Sequence, residues 1–557
     1  MKQETMSARV QQLVDDFRAA RPEVFAERAV LVTQAYAQTE GLPMLVRRAK
    51  ILSHLLEHVT VLLRPGELIV GCKTPAILGS PLYPEIACDW IEAELDTIAL
   101  RDEAPFLVSD QTKAALRAGV FGYWRDKQVY NRIMEVLPPE VNQATAEGQF
   151  FHYYLNRSIG HITVDYESVL KKGFLGLKRE AEAELDRVDY EAAGSLKKMH
   201  LLRAMIISCD SAIHFAERYA AEAERLAAAE RDPVRRAELE QIGAVCRRVP
   251  AYPARTFHEA LQSFWFVHLI LNLETNSYAI GPGHFDQYMF PFYQADTAAG
   301  RLTEPEAKEL LACLWLKLNE LTVVKEGGTA KASTTFNDFQ NLNLGGQTSI
   351  GEDAVNTLSY LCLDVTAMLQ LPQPQISALI SHKSPDAFVT RASEVISLGF
   401  GMPSVFNHDE IIEALLNKGK TLEDARLGGI NGCVELNVPG KDNMASSGYL
   451  NLLKSLELAM NNGVNPLTGT QLGPKTGPPD DFASFNAFME AFRQQLAHAI
   501  NLKVIYDNLA RQVYADFCPV PFTSLLMDGC MEKGRDYHDY GAKYNLPLMC
   551  GVGTGTI

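Results

Sequence analysis

The chain has few cysteines and no pairing pattern among them. Its 557 residues contain ten cysteines, spread singly along the sequence, and no two of them form a CxxC motif. This spacing is too sparse for a disulfide framework and is typical of a reducing compartment, where an isolated cysteine is usually a small buried side chain. The polar N-terminus, MKQETMSARVQQLVDDF, lacks the apolar segment of a secretory signal. We therefore predict a cytoplasmic protein.

The sequence also lacks a basic cluster and a long hydrophobic run. Acidic side chains outnumber basic ones by 68 to 52, which gives a formal net charge of -16. Neither nucleic acid nor an anionic membrane is therefore an expected partner. The most apolar stretch, residues 261–273, is shorter than the ~18 to 20 residues that a membrane span needs and contains His268 and Asn272. It predicts a buried core helix.

Common nucleotide, metal and hydrolase motifs are missing as well. GxGxxG, P-loop, HExxH and GxSxG sequences do not occur, and no Cys/His spacing predicts a metal site. The composition, 47% hydrophobic and 22% charged, is that of an ordinary globular enzyme. These absences favour a small molecule as the binding partner.

The periodicity changes near residue 260. Before it, apolar residues recur every three or four positions, as in 179–188 and 197–249, which predicts helices. After it, short apolar runs bounded by Gly, Asn and Pro alternate with helical segments, which predicts an α/β fold with the chemistry at strand ends. No linker-like composition occurs before residues 473–481. The predicted strands are 341–347, 375–381, 402–406 and 432–438.

The segment GGINGCVE at residues 428–435 places a thiol and a carboxylate two positions apart. Three glycines within five positions indicate backbone that turns tightly or approaches another segment closely. In extended geometry Cys433 and Glu435 would point to the same side and face one space. An equally open interpretation is a glycine-rich loop with an incidental core cysteine, because Cys-x-Glu is a weak signal.

Two other segments concentrate polar residues and glycines. The first runs from ETNSY at 274–278 into GPGHFDQYMFPFY at 281–293, whose aromatic residues are best explained as the start of a core helix. The second, STTFNDFQNLNLGGQ at 333–347, carries a polar run into a predicted strand that ends at Gly-Gly. In this position polar side chains are candidates for a binding site.

Taken together, these motifs resemble the pyruvate formate-lyase domain of glycyl radical enzymes. The motifs are GINGCVE followed by VPGK, GPGHFDQYMFPFY, FQNLNLGGQ, RPGELIVG at 64–71 and HDYGAKYN at 538–545. The resemblance covers residues 1–557 as one domain. It implies a ten-stranded α/β barrel, made of two antiparallel five-stranded half-barrels surrounded by helices, with a cysteine loop inside.

The resemblance also implies roles for particular residues. Cys433 is the thiyl site that takes a hydrogen atom from the substrate, and Glu435 is the acid/base beside it. A thiol S–H bond is weak enough for reversible hydrogen-atom exchange, and a nearby carboxylate can move a proton in the same step. We predict that the substrate-binding residues are Ser333, with Thr334 beside it, Phe339, Tyr449, Ser277 and His161. Asp165, close to His161 in the sequence, is a further pocket candidate, and a purely structural role is the alternative for His161.

Two departures from the sequence pattern of the family reduce the number of candidate reactions. Pyruvate formate-lyase itself has two adjacent cysteines, whereas Gly432 precedes Cys433 here, so covalent acyl transfer lacks its nucleophile. The arrangement resembles instead dehydratases and lyases that eliminate from small hydroxylated or amino substrates, nearest to hydroxyproline dehydratase. Diol dehydratases have a His-Ser pair where this chain has Tyr278 and Ala279, which disfavours glycerol. An arylacetate decarboxylase is the second candidate.

The family's radical glycine lies in an Arg-Val-x-Gly motif beyond GAKYN, and no such motif occurs in the 557 residues. We expect the chain to be a fragment without its glycine radical domain, or to receive that glycine from a separate polypeptide. The implied cofactor is a glycyl radical installed by a radical S-adenosylmethionine activase, and the implied assembly is a homodimer. The competing hypothesis is a non-catalytic barrel that binds a small molecule or dimerises with a full-length partner.

Overall fold

The computed structural model describes residues 5–151, 156–333, 335–337, 339–444, 446–546 and 548–556. Helices dominate the part that precedes residue 275, as the periodicity predicts. These are α1 (Ala8–Ala19), α2 (Glu27–Gln38), α3 (Met44–His58), α4 (Asp89–Glu94), α5 (Asp110–Ala115), α6 (Phe121–Trp124), α7 (Val129–Val136), α8 (Pro139–Ala146), α9 (Tyr166–Asp186), α10 (Ser195–Ala229), α11 (Pro233–Arg248) and α12 (Phe257–Glu274).

The helices end where the sequence provides local signals. The predicted helix 197–249 is divided at Asp232, whose side chain accepts a hydrogen bond from the backbone N–H of Val234 and caps α11, with Pro233 in the first turn. Helix α9 bends at Gly173, which has a φ of 65°. The expected core helix is confirmed as α12, where even His268 and Gln262 are buried.

The second half alternates helices with short strands. Its helices are α13 (Phe285–Ala298), α14 (Glu304–Asn319), α15 (Gly327–Ala332), α16 (Thr357–Leu369), α17 (Asp386–Ile396), α18 (His408–Asn417), α19 (Leu422–Arg426), α20 (Leu452–Met460), α21 (Phe485–Phe517), α22 (Pro521–Leu525) and α23 (Cys530–Lys533). The strands that the structure describes, from both halves, are β1 (Glu23–Phe25), β2 (Gly79–Pro81), β3 (Phe150–Phe151), β4 (Asn341–Gly345), β5 (Gln375–Ile380), β6 (Ser404–Asn407), β7 (Gly429–Asn431), β8 (Glu435–Asn437), β9 (Asp442–Asn443), β10 (Ser446–Asn451), β11 (Tyr544–Asn545) and β12 (Leu548–Val552).

Five parallel segments lie side by side in the centre of the fold. Strands β4, β5 and β6 form a parallel sheet in that order. Parallel bridges extend it from Leu342 to Gly283 and from Ile280 to Ile162, so the segments around residues 283 and 162 continue the row. We call the segment around Ile162 the 158–163 segment. This row matches one five-stranded half of the predicted barrel.

A second group of parallel strands comes from the later part of the chain. Strand β10 pairs in parallel with β12, and β9 pairs in parallel with β11. The short strand β3 pairs with β10 in the antiparallel direction. One cluster of buried hydrophobic side chains extends from Val10 to Ala542 and joins both groups to the helices. Among the described residues, no helix is both long enough and apolar enough to cross a membrane.

Candidate active site

Cys433 lies at the tip of a β-hairpin that enters the row of parallel strands. Strands β7 and β8 pair in the antiparallel direction with Asn431 opposite Glu435, so residues 432–434 form the turn. Gly432 has a φ of 59°, in the left-handed region that favours glycine. The predicted strand over 432–438 is therefore confirmed only at β8 (Glu435–Asn437), because the backbone turns at residues 432–434 instead of remaining extended.

The turn still brings the thiol and the carboxylate together. Cys433 is exposed at the hairpin tip, Cys550 is partly exposed, and the other eight cysteines are buried. Although Cys433 is exposed, the surrounding protein removes part of the water from its thiol, which raises the thiol pKa to about 11, and Glu435 and Cys550 act in the same direction. At neutral pH the sulfur therefore keeps its hydrogen, as hydrogen-atom transfer requires.

The Glu435 carboxylate is fixed through one of its two oxygens. Oε2 accepts hydrogen bonds from the backbone N–H groups of Cys433 at 2.7 Å and Val434 at 3.0 Å. Burial alone would raise the pKa of this carboxyl, but hydrogen bonding and charge interaction with His161, together with the backbone N–H groups, lower it below its usual value. Oε1 faces the thiol of Cys550 at 3.9 Å. Glu435 is thus ionised at neutral pH, and within the described ranges its Oε1 accepts no backbone hydrogen bond.

His161 brings a second proton-carrying group to the carboxylate. Its Nε2 atom lies 3.5 Å from Oε2 of Glu435. The residue has a φ of 58°, its backbone N–H donates to the carbonyl of Tyr278 at 2.9 Å, and its ring meets the Tyr278 ring edge-on at 5.2 Å. The buried Nδ1 atom has no hydrogen-bond partner within the described part of the chain. The ring therefore has one nitrogen at the carboxylate and a second, buried nitrogen whose hydrogen-bonding capacity the described residues leave unused.

The glycines of the hairpin leave room for these groups. A Cβ atom added to Gly432 would lie 2.5 Å from Nε2 of His161 and 2.7 Å from Oε2 of Glu435. A Cβ on Gly429 would lie 3.0 Å from Oδ1 of Asn343. The expectation that this glycine-rich segment approaches its neighbours closely is confirmed, and the approach concentrates polar atoms around the tip.

Tyr449 shares a sheet with the residue that faces Glu435. In the β10–β12 pair, Tyr449 is directly opposite Cys550, and side chains of opposite residues lie on the same face of a sheet. Because the Cys550 thiol points to Glu435, this register places the Tyr449 side chain on the face of the sheet that is turned toward the hairpin. The predicted role of Tyr449 in substrate binding remains a prediction with this placement in its favour.

Three other predicted site residues have neighbours of their own. Ser277 is buried, and its hydroxyl donates to the carbonyl of Ile159 at 2.8 Å. Ser333 follows α15, and its Oγ accepts from Nζ of Lys325 at 3.4 Å. Phe339 is 37% exposed. None of these contacts reaches the hairpin, so the assignment of these residues to the substrate pocket stays a prediction. Thr334, considered with Ser333, lies outside the described residues.

A cavity of about 640 Å³ opens at the base of the hairpin, away from its tip. Its lining includes Asp165, His284 and Gly440 but neither Cys433 nor Glu435. Asp165, which the sequence offered as a pocket residue beside His161, caps α9 by accepting from the backbone N–H of Ser168 at 3.0 Å. The chemistry of the tip, and not the size of this cavity, identifies the candidate site.

Sequence reasoning missed the residues that hold the hairpin. Asn341 and Asn343 of β4 donate to the carbonyls of Gly432 at 3.0 Å and Ile430 at 2.9 Å. Both belong to the FQNLNLGGQ motif, and their spacing of two along a strand was the available signal, because such residues share one face. Cys550 was treated as one more structural cysteine, and no pattern in the sequence marks it.

Comparisons with known proteins identify the class. A family model described as pyruvate formate lyase-like matches residues 3–557. Trans-4-hydroxy-L-proline dehydratase of Clostridioides difficile is 39% identical over 553 residues, which are 99% of this chain and 70% of that protein. Isethionate sulfite-lyase of Oleidesulfovibrio alaskensis is 34% identical over 566 residues, with coverage of 99% and 68%.

Solved structures agree with the sequence relatives. Hydroxyproline dehydratase from Clostridioides difficile, with trans-4-hydroxy-L-proline bound, has a TM-score of 0.96 at 38% identity, covering all of this chain (100%) and 71% of its own. The glycerol-bound glycerol dehydratase from Clostridium butyricum has a TM-score of 0.95 at 37% identity, with coverage of 99% and 70%.

The chain therefore belongs to the pyruvate formate lyase-like family of glycyl radical enzymes. Within that class, the relatives named above are dehydratases and a carbon–sulfur lyase. The predicted family and the α/β barrel fold are confirmed. The chain spans about 70% of the length of these relatives.

Proposed function

We propose that the chain carries the thiyl site of a radical dehydratase or lyase. Its reaction removes water, or cleaves a C–N, C–S or C–C bond, in a small hydroxylated or amino substrate. The observation that carries this proposal is the hairpin tip, where a protonated thiol and an ionised carboxylate of one turn lie beside the imidazole of His161 from the 158–163 segment. Family membership supports the radical character of the reaction, and the names of the relatives support elimination.

The residues can be assigned to a balanced sequence for a vicinal hydroxylated substrate. Once Cys433 has given up its hydrogen atom, its sulfur takes one from a substrate carbon, which re-forms the S–H bond and leaves a carbon radical. Glu435 accepts the proton of the hydroxyl on that carbon, and the neighbouring hydroxyl leaves as water with a proton from His161. The product radical then takes the hydrogen atom back from Cys433.

The short distance between Glu435 and His161 completes this cycle. After elimination Glu435 holds the proton of the substrate hydroxyl and His161 lacks the proton that left with water, so one proton passes from the carboxyl to the imidazole, directly or through the released water, between two groups that lie 3.5 Å apart. The family's glycyl radical would supply the initial hydrogen-atom acceptor. Exposure of the protonated thiol at the tip fits such an acceptor approaching from outside the described residues.

The same geometry disfavours two alternatives. Acyl transfer through a second thiol at position 432 would require a side chain where a Cβ already meets His161 and Glu435. An arylacetate decarboxylase would be favoured by an apolar, aromatic pocket, whereas the groups around the tip are mostly polar. These are His161, Glu435, Cys550 and Tyr449.

We also propose the partners and location that the family resemblance implies. They are a radical S-adenosylmethionine activase, a second copy of the chain in a homodimer, and the cytoplasm. Ten unpaired cysteines support a reducing compartment.

The decisive experiment is an anaerobic assay against a panel of substrates. Because the 557 residues contain no Arg-Val-x-Gly sequence, the chain would be joined to the glycine-bearing C-terminal region of a dehydratase relative and treated with a cognate activase. We expect a glycyl radical spectrum and turnover of at least one hydroxylated or amino substrate. Turnover of arylacetates alone would refute elimination and identify the chain as part of a radical decarboxylase. A radical spectrum without any turnover would favour the non-catalytic hypothesis.

A further inference from the structure

The hairpin exposes one edge of β7 to the wall of the barrel. In an antiparallel pair, alternate residues turn their N–H and C=O groups toward the partner strand or away from it. Here the outward carbonyls belong to Gly428, Ile430 and Gly432, because each accepts a hydrogen bond from a side chain outside the hairpin. An unpaired strand edge normally needs another strand, water or a covering segment. This edge is covered by side chains.

Asn343 makes the most specific of these contacts. Its Nδ2 donates to the carbonyl of Ile430 at 2.9 Å, and its Oδ1 accepts from the backbone N–H of the same residue at 2.8 Å. The carboxamide thus binds one residue of β7 in the way that a neighbouring strand would. Asn341, two residues earlier in β4, donates to the carbonyl of Gly432 at 3.0 Å.

Two histidines bind the third outward carbonyl. Nε2 of His284 and Nε2 of His408 lie 3.2 Å and 3.0 Å from the oxygen of Gly428. Because a carbonyl oxygen only accepts hydrogen bonds, both Nε2 atoms carry the hydrogen. His408 is fully buried at the start of α18, and His284 immediately precedes α13. The base of the hairpin is therefore held from two different helices.

The spacing of the donors matches the spacing of the carbonyls. Asn341 and Asn343 are two residues apart in β4, as are Ile430 and Gly432 in the hairpin, and two residues of a strand span about 6.6 Å. A shift of one residue would turn the outward carbonyls away from the amides and reverse the direction of Cys433. Only one register of the hairpin satisfies all the donors.

We propose that Asn341, Asn343, His284 and His408, which we call the register lock, set how far Cys433 projects into the barrel. They are positioning residues, since they act on the backbone of the hairpin and not on the substrate. The inference goes beyond the proposed function, because it concerns where the thiol is placed whatever the substrate is.

Thr163 braces the same register from the other side. Its Oγ1 accepts from Nδ2 of Asn431 and from Nδ2 of Asn437, both at 3.0 Å. One asparagine belongs to each strand of the hairpin, so this hydroxyl of the 158–163 segment ties β7 and β8 together. The hairpin is thus fixed between two barrel strands by side chains alone at these contacts.

The test uses the 557-residue chain as it is and needs neither substrate nor radical. In Asn343→Asp the acceptor for the Ile430 N–H remains, but the donor to its carbonyl is replaced by a negatively charged oxygen. Gln262→Glu is the matched control, because Gln262 binds Val70 through the same pair of bonds, at 2.8 Å and 2.9 Å, in the buried helix α12. Asn341→Asp, which loses a single bond, is the milder second variant.

We expect a crossed result in hydrogen–deuterium exchange. Loss of one such bond should increase local opening about tenfold. Asn343→Asp should therefore speed exchange in residues 429–437 and not in 68–72, while Gln262→Glu should do the reverse. Alkylation of Cys433 by iodoacetamide at pH 8 should change several-fold in Asn343→Asp and Asn341→Asp, and not in Gln262→Glu.

Wild-type exchange and wild-type Cys433 alkylation in Asn343→Asp would overturn the register lock. Equal changes in Cys433 alkylation for Asn343→Asp and Gln262→Glu would overturn it too, because the effect would then be general destabilisation. If Asn343→Asp does not fold, Asn341→Asp decides by the same two criteria. A failed substrate panel would leave these readouts unaffected, so the two proposals fail separately.

Discussion

Replacing Gly432 by alanine tests how tightly the hairpin tip is packed. At a φ of 59° an alanine costs about 1 to 2 kcal/mol in backbone strain. Its Cβ would also lie 2.5 Å from Nε2 of His161 and 2.7 Å from Oε2 of Glu435. Displacing that oxygen removes the acceptor of two backbone N–H groups, at about 1 kcal/mol or more each. We expect the free energy of unfolding to fall by about 3 kcal/mol.

Gly419→Ala separates strain from contact in this experiment. Gly419 has a φ of 80°, and nothing lies within 4 Å of the Cβ that alanine would add. This control has the backbone strain of Gly432→Ala but not its close contacts, so we expect its free energy of unfolding to fall by only about 1 kcal/mol. Urea denaturation followed by tryptophan fluorescence would give both values. Equal losses in the two variants would refute the reasoning, because His161 and Glu435 would then move aside at no cost.

Three further predictions concern the same region. Because the Cys433 thiol has a pKa of about 11, its alkylation by iodoacetamide at pH 8 should be about 100-fold slower than that of a thiol with a pKa of 9. Glu435→Gln should accelerate the alkylation of Cys433. An alkylation rate that levels off below pH 9.5 would contradict the raised pKa. Burial and the neighbouring His408 lower the pKa of His284 from 6.5 to about 4, so the unfolded chain binds more protons between these values and stability should fall as the pH drops from 6.5 to 4. His284→Gln should lose less stability than the wild type over this interval in urea denaturation, and an identical decline would exclude His284 as its source. In the activated fusion, Cys433→Ser should abolish turnover with a melting temperature within about 1 °C of the wild type, and Glu435→Gln should lower the rate at least about 100-fold; residual activity of Cys433→Ser within a few-fold of the wild type would remove the radical assignment.

Local patterns in the sequence predict much of the fold. The helical periodicity before residue 260 corresponds to α1–α12, and the short β-branched runs correspond to β4, β5 and β6 with ends within a few residues of the prediction. The spacing of apolar residues is a local property that reports the type of secondary structure directly, so it can be read without knowing the tertiary contacts. The barrel itself was predicted only through family resemblance, because the order of strands depends on contacts between distant segments.

The candidate site shows where local reasoning stops. Cys433 and Glu435 were predicted to meet as neighbours on an extended strand, yet they meet on a turn that Gly432 makes possible. The glycines of this segment predicted a tight turn, but their spacing did not say that the turn would fall between Asn431 and Glu435. His161 reaches the same point from 274 positions earlier in the chain than Glu435. No spacing rule connects residues so far apart, and the pairing of Tyr449 with Cys550 is equally inaccessible.

The way in which the barrel wall holds the hairpin has a consequence for protein engineering. The wall amides and imidazoles bind main-chain atoms of residues 428–432, which every amino acid possesses, and not the side chains at the tip. The residues at positions 433 and 434 can therefore be exchanged while the backbone that presents them keeps its place, whereas Glu435 has to stay because its Oε2 accepts from the backbone N–H groups of both. A library restricted to these two positions would explore different reactive groups on one fixed scaffold, and loss of folding would not be the main reason for failure.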